Sequence, residues 1–131
     1  MATGKLSDHA AAATICVSDA KKARDFYEGV LGLRVVMFDE NSGVATYTSA
    51  SSQLDIYQSD ENAGKNPATS ATWGVGPDFD AVMAALTSAG VAFEHYDDMG
   101  MQRDGDVHLM GDFKAAWFKD PDGNILHVNN M

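Results

Sequence analysis

The sequence repeats itself over a distance of 58 residues, and this internal repeat restricts the fold more than any other feature. Over residues 14–32, the identical positions in the gap-free alignment are Thr14 with Thr72, Val17 with Val75, Ala23 with Ala81, and Gly32 with Gly90. A repeat of this length indicates one supersecondary unit used twice, with each copy covering apolar surface of the other. We expect one domain over residues 1–131, because neither half is large enough to bury a sufficient core alone.

The first half predicts a strand, a helix and three further strands. The uncharged apolar run 11–17 is typical of a buried strand, and Ser18 and Asp19 are residue types that cap helix starts. Gly32 is expected to end the helix, since glycine readily adopts the left-handed C-cap conformation. The apolar stripe of this helix is Ala23, Phe26, Tyr27, Val30 and Leu31. The strands predicted after it, rich in β-branched and aromatic residues, are 33–38, 43–49 and 53–58.

The second half repeats this order of elements after a polar linker. Pro77 and Asp78 begin its helix, and Gly90 ends it. Its predicted strands are 71–75, 91–96, 115–119 and 125–128. The turn before the last strand contains Pro121 and Gly123, which favour tight turns. The predicted fold class is therefore α+β, with two β-α-β-β-β modules at about 10–58 and about 70–129, joined by a linker at about 59–69.

The two halves differ most at residues 97–112, whose counterpart near 39–43 is much shorter. This segment contains three glycines and three methionines, and the sequence is compatible with a loop, an irregular strand pair or a lid. Long connections inside compact domains are often functional. Met99, Met101 and Met110 could supply an adaptable apolar lid, or simply fill space in an irregular loop.

The charge balance excludes several classes of function. The 9 Lys and Arg residues against 19 Asp and Glu give a formal net charge of -10, which disfavours nucleic acids and anionic membrane surfaces. No apolar stretch approaches the roughly 20 residues that span a bilayer. The single cysteine, Cys16, cannot form an internal disulfide, so we expect a cytoplasmic protein.

Two segments carry a resemblance to a known family. Residues 17–33 (VSDAKKARDFYEGVLGL) and 117–128 (WFKDPDGNILHV) resemble the opening and closing signatures of the vicinal oxygen chelate superfamily. That group includes glyoxalase I, bleomycin-resistance proteins and extradiol dioxygenases. The resemblance covers about residues 10–128 and implies paired modules whose curled mixed sheets surround a cleft, usually in a homodimer.

The resemblance also implies where a metal would bind. In metal-dependent members, four side chains from the first and last strands of each module hold a divalent ion. The matching positions here are Ala12, Asp55, Ser70 and His127. Alanine has no donor atom and a serine hydroxyl is a poor ligand, so only two of the four positions suit a metal. We therefore expect no metal and no other cofactor.

Several residues remain candidates for ligand contact, each with a structural alternative. Asp55 and His127 could hold a ligand or form an acid–base pair, or they could be a solvated carboxylate and a core histidine. His108 could supply an acid–base group, or it could lie on the surface. The aromatic candidates for the cleft wall, for which ordinary sheet core is the alternative, are Phe38, Tyr47, Tyr57 and Trp117.

These observations favour a binding function. The leading hypothesis is a metal-free protein that binds a small aromatic or apolar organic molecule in its cleft, similar to bleomycin-resistance proteins that sequester antibiotics. The alternative is a lyase, isomerase or dioxygenase-like enzyme that uses Asp55, His127 or a loop histidine, either without a metal or with a divalent ion. No catalytic residue is assigned from the sequence.

Overall fold

Two curled mixed β-sheets form the framework of the protein, and the computed structural model describes residues 4–131. The strands of the first sheet are β1 (Ala13–Val17), β2 (Arg34–Asp39), β3 (Val44–Ser49) and β4 (Ser52–Gln58). Their order in the sheet is β1-β4-β3-β2, with β1 parallel to β4 and the other neighbours antiparallel. Strand β2 is therefore an edge strand.

The second sheet has the same core arrangement of first, last and penultimate strands. Its strands are β5 (Thr69–Gly74), β6 (Phe93–Glu94), β7 (Gln102–Asp104), β8 (Val107–Met110), β9 (Phe113–Lys119) and β10 (Ile125–Asn129). The order is β5-β10-β9-β8-β7, and β6 also pairs with β9. Strand β5 is parallel to β10, as β1 is to β4. The predicted α+β class is confirmed.

The segment 97–112 is a strand pair rather than an open loop or a lid. Strands β7 and β8 form an antiparallel hairpin, and β8 extends the sheet along the first residues of β9. The predicted strand 91–96 shrinks to the two residues of β6, because β6 pairs only with Trp117 and Phe118 while β8 pairs with the rest of that edge. An ion pair at 2.8 Å between Arg103 of β7 and Asp97 connects the hairpin to the segment that precedes it.

The first helix changes its pitch partway along its length. Helix α1 (Ala20–Arg24) begins at Asp19, whose carboxylate accepts hydrogen bonds from two backbone N–H groups of the first turn. The chain then continues as a π-helical turn over Asp25–Val30, where the Leu31 N–H donates to the Phe26 carbonyl. The sequence pattern predicts one uninterrupted helix here, since hydrophobic spacing does not separate a short π-turn from an α-helix.

Both sheets cover one apolar core on their helix-bearing sides. The helix α2 (Phe79–Ser88), preceded by a 3₁₀ turn at Gly76–Asp78, contributes Phe79, Val82, Met83 and Leu86 to it. Phe26 of the first half and Phe118 of the second lie 6.5 Å apart by ring centroids. Trp73 also lies on this side, as expected from its alignment with Ile15. No helix within residues 4–131 is long and apolar enough to cross a membrane.

The turn at residues 120–124 ties the second half to the first. The Asp120 carboxylate is buried, and it accepts hydrogen bonds from the Asn124 backbone and side chain and from the Tyr27 hydroxyl at 2.7 Å. Asn124 in turn donates to the backbone carbonyl of Cys16 at 2.8 Å. Tyr27 therefore connects the closing turn to the π-helical turn, and Asn124 connects it to β1.

We predict that Tyr27→Phe lowers the free energy of unfolding by about 1.5 kcal/mol, because it removes a buried hydrogen bond to a carboxylate. Urea denaturation measures the change. Tyr57→Phe serves as the control, since Tyr57 is 37% exposed and its substitution should change stability by less than about 0.5 kcal/mol. Equal effects of the two substitutions would contradict a special role for the Tyr27–Asp120 contact.

Candidate functional site

Strand alternation places Asp55 and His127 on the sheet faces that point away from the helices. Their strand neighbours, Leu54 and Ile56 in β4 and Leu126 and Val128 in β10, all lie in the core. Asp55 is half-buried, and its carboxylate accepts a hydrogen bond from the Gln53 amide. The orientation agrees with the sequence prediction, but the two residues lie on different sheets.

Two of the aromatic candidates lie on the helix side and not on the cleft side, which corrects the sequence prediction. Tyr47 is opposite the core residue Leu54 in the sheet register and is fully buried, and its hydroxyl donates to Glu28 at 2.9 Å. Phe38 lies beneath the Arg24 guanidinium, 4.3 Å from ring centroid to Cζ. Tyr47 and Phe38 are therefore part of the ordinary sheet core, which was the alternative to a position in the cleft wall. Tyr57 lies on the outward face of the first sheet.

Trp117 is the centre of an aromatic cluster on the outward face of the second sheet. The His127 ring stacks on Trp117 with centroids 4.4 Å apart and planes 23° apart. The rings of His108 and Tyr96 meet Trp117 edge-on, at 4.9 Å and 5.6 Å. The strand register brings these residues together. His127 on β10 lies opposite Trp117 on β9, and His108 on β8 lies opposite Ala115, two residues before Trp117 on the same strand.

Both nitrogens of His127 are hydrogen-bonded. Its Nδ1–H donates to the Ala116 carbonyl at 3.1 Å, and its Nε2 accepts from the Asn129 amide at the same distance. Burial lowers the pKa of His127, and the hydrogen bond to Ala116 only partly opposes this shift. The residue is a neutral, satisfied histidine at pH 7, which is the structural alternative that the sequence left open.

His108 is completely buried, so the surface position considered from the sequence is wrong. Its Nε2 accepts a hydrogen bond from the backbone N–H of Tyr96 at 2.9 Å. Its Nδ1 has no partner in full hydrogen-bonding geometry, although the nearby Ala115 carbonyl acts to raise the pKa of the imidazole. Burial is the larger effect and lowers the pKa of His108.

Tyr96 is a site residue that sequence reasoning missed. Its hydroxyl oxygen is buried without a partner, and burial raises the pKa of Tyr96. The one sequence signal for Tyr96 was its position. It is the last residue of the predicted strand 91–96 and directly precedes the inserted segment 97–112. Nothing local in the sequence indicated that His108 would fold back onto it.

An open hollow of about 360 Å³ lies beside the cluster. Its lining residues are Pro67, Ala68, Thr69, Tyr96, Met99, Trp117 and Ile125. Of the methionines considered for a lid, Met99 lines this hollow, whereas Met110 ends β8 and is 56% exposed. Met101 is half-buried and directly precedes β7.

The residues at the family metal positions do not fit a metal site. Ala12 is exposed and lies before β1, and Ser70 offers only a hydroxyl. The Nε2 lone pair of His127 is occupied by the Asn129 amide. Within residues 4–131, no group of three or more His, Cys, Asp and Glu side chains is arranged to hold a metal ion. A catalytic divalent site needs about three protein ligands.

The fold and the cluster define a small α+β protein with an open hollow on one sheet. A family model described as the Glyoxalase/Bleomycin resistance protein/Dioxygenase superfamily matches residues 7–128. The chain belongs to this superfamily, which confirms the resemblance found in its opening and closing segments. A comparison with curated proteins finds no match.

Solved structures share the fold at low sequence identity. The fosfomycin resistance protein FosX from Listeria monocytogenes is 13% identical, with a TM-score of 0.71 over 96% of this chain and 92% of that one. A glyoxalase/dioxygenase from Nostoc punctiforme is 21% identical, with a TM-score of 0.67 and coverages of 98% and 94%. TnmS3, an antibiotic binding protein from Streptomyces sp. CB03234, is 23% identical, with a TM-score of 0.63 and coverages of 92% and 93%.

We predict that stability decreases as the pH falls from about 7.5 to about 5.5, through the ordinary histidine pKa of about 6.5. The pKa values of His108 and His127 are lowered in the folded state, so the unfolded chain binds more protons in this range. Urea denaturation across this range measures the slope. His127→Gln cannot protonate and should reduce the slope. An unchanged slope in this variant would contradict the neutral, buried state of His127.

Proposed function

We propose that this protein binds a small, flat aromatic or apolar organic molecule in the hollow beside Trp117, without a metal and without transforming it. The observation that carries this proposal is the position of Trp117, which forms a wall of an open hollow of about 360 Å³. This volume falls in the range of small-molecule sites, and the other lining residues are largely apolar.

The stacking of His127 on Trp117 supports a rigid binding surface. The imidazole is held by hydrogen bonds to Ala116 and Asn129, so it fixes the orientation of the indole ring that it packs against. A preorganised aromatic wall loses little side-chain entropy when a flat ligand packs on it. Met99 at the rim is flexible and half-exposed, which suits ligands of different outline.

The related structures give independent support for a small-molecule ligand. TnmS3 is an antibiotic binding protein and FosX is a fosfomycin resistance protein. Their fold is that of this chain, and one fold hosts many functions, so the choice of function depends on the site. Both nitrogens of His127 are already hydrogen-bonded within the protein. This agrees better with a binding role than with a role in acid–base catalysis.

The metal-free state is part of the proposal and is supported by the donor set. Asp55 and His127 are the two potential ligands at the family positions, and they lie on different sheets. In the strand register, the neighbours of Asp55 and His127 on the adjacent parallel strands are Thr14 and Thr72, which offer only hydroxyl groups. Hydroxyls are weak ligands for transition metals.

We further propose that the chain works as a homodimer. Apolar side chains on and beside the first sheet remain exposed, with Val36 at 61% and Met37 at 46% on the edge strand β2, and Tyr57 at 37% on β4. Edge strands that carry apolar residues are natural sites for pairing with another chain. A second copy would cover these residues.

Removal of the aromatic wall should weaken binding. We predict that Trp117→Leu weakens the affinity for the best planar aromatic hit of a thermal-shift screen by about tenfold or more, through lost stacking and contact area. Equilibrium dialysis in the presence of EDTA measures the affinity, which should not depend on a metal.

Trp73→Leu is the matched control, because it removes the other tryptophan from the helix side of the same sheet. It should cost stability but leave the affinity unchanged. Equal losses of affinity in both variants would contradict the assigned site, and EDTA-sensitive binding would contradict the metal-free proposal. Turnover of the bound compound would favour the enzymatic alternative.

If the protein is a homodimer, light scattering should give the molar mass of two chains, and this mass should not change with concentration. Val36→Lys should shift the protein to the monomer, because a buried, unpaired ammonium is costly at an interface. Leu6→Lys is the control, since Leu6 is 89% exposed and lies outside both sheets. A monomeric wild-type protein at micromolar concentration would overturn the proposal.

A further inference from the structure

An apolar cavity of about 220 Å³ lies on the helix side of the protein, where the two modules meet. Leu31, Leu33 and Ser49 of the first module line it, together with residues of β5, α2 and the last two strands of the second module. Phe118 lines this cavity and Trp117 lines the hollow, because neighbouring residues of β9 point to opposite faces of the sheet. The cavity and the hollow share no lining residue.

The cavity is open to solvent, so a ligand can enter it. Its floor is deeply buried, since Phe118 is 1% exposed and Val128 is 3% exposed. The other apolar lining residues are half-buried, and their side chains therefore reach both the cavity and the solvent. They are Leu31, Leu33, Trp73, Val75, Val82 and Leu86.

The wall of the cavity offers a ligand almost no polar group. The nine lining residues all belong to the described part of the chain, and none of them carries a charge. Ser49 has a hydroxyl, whose oxygen accepts a hydrogen bond from the Trp73 indole N–H at 2.9 Å, so this N–H is already used. A charged molecule would lose its hydration here without a replacement, which is unfavourable. The cavity therefore selects a neutral, apolar occupant.

The volume and the composition of the wall indicate a compact aliphatic occupant. An apolar cavity of about 150 Å³ holds one benzene molecule, so a cavity of about 220 Å³ has room for about nine carbon atoms. Six of the nine lining residues are leucine or valine. Contacts with aliphatic side chains therefore supply most of the dispersion energy that an occupant gains.

The surroundings of the cavity favour a small molecule over a protein partner. A stable protein interface takes about 20 residues from each side, whereas nine residues line the cavity. Among residues 4–131, the large apolar side chains with high exposure, such as Val36 and Met37, all lie outside its wall. The cavity is therefore too small to hold a partner chain by itself.

We propose that this cavity is a second binding site, which takes one neutral aliphatic molecule or alkyl group of about six to nine carbon atoms. The site is independent of the hollow beside Trp117, since the two spaces lie on opposite faces of the second sheet. An occupant contacts both modules at once. Binding to the folded state should therefore raise the melting temperature.

The indole N–H signals of the two tryptophans report on the two spaces separately in ¹H–¹⁵N NMR spectra. Trp117→Leu assigns the signals, because the chain has two tryptophans. We expect cyclohexane to shift the Trp73 signal in a saturable manner and to leave the Trp117 signal unchanged. Cyclohexylamine has the same ring and is positively charged at pH 7. It should bind at least about tenfold more weakly, in spite of the net charge of -10.

A pair of variants of helix α2 tests the location of the site. Val82→Phe places a ring in the cavity and should weaken cyclohexane binding by about tenfold. Its melting temperature without a probe should stay the same or rise, as for other cavity-filling substitutions. Ala84→Phe is the control, because Ala84 is exposed on the same helix and does not line the cavity. This control should leave the affinity unchanged.

The possible results lead to different conclusions. A Trp73 signal that does not move with cyclohexane in the wild-type protein would overturn the second site, whatever the stability of Val82→Phe, and would leave the proposed function intact. Equal affinities for cyclohexane and cyclohexylamine would overturn the ligand class. A lower molar mass of Val82→Phe in light scattering would also overturn the proposal, since a second copy would then cover the cavity. Loss of planar-ligand binding at Trp117, with the Trp73 shift retained, would count against the proposed function alone.

Discussion

The buried carboxylate of Asp120 is the interaction on which the rest of the structure depends. A charged group in the interior is tolerated only when hydrogen bonds replace its hydration, and Asp120 receives them from the backbone of its own turn, from Asn124 and from Tyr27. Because Tyr27 belongs to the first half of the chain, the same bonds that shape the turn also attach it to the π-helical segment. Strand β10 starts directly after this turn, so the contact also sets where His127 lies.

The helix side of the protein and the outward face of the second sheet satisfy their polar groups to different extents. On the helix side and in the closing turn, the buried hydroxyls and amides of Tyr27, Tyr47 and Asn124 are bonded within the protein. In the aromatic cluster of the outward face, the Tyr96 hydroxyl oxygen and His108 Nδ1 are buried without a partner in hydrogen-bonding geometry. The unpaired buried side-chain nitrogen and oxygen atoms of residues 4–131 are therefore concentrated around Trp117.

Local patterns in the sequence predicted the fold and part of the site. The period of two along β4 and β10 oriented Asp55 and His127 correctly, because a residue between two core positions must point outward. Tyr47 and Phe38 were misplaced because their face depends on which residues of neighbouring strands lie opposite, and on a register shift between Val35 and Met37. The contact of Tyr96 with His108 depends on a hairpin folding back over twelve residues, for which no short-range pattern exists.

The positions of the two tryptophans give the protein two separate optical reporters. Trp73 lies on the helix side, where its indole N–H donates to the Ser49 hydroxyl at 2.9 Å. Trp117 lies on the opposite face, against His127 and the open hollow. Fluorescence from the first therefore follows the integrity of the core, whereas fluorescence from the second responds to what enters the hollow. The Trp117→Leu and Trp73→Leu variants each retain one of these reporters, so folding and occupancy can be followed separately without an added dye.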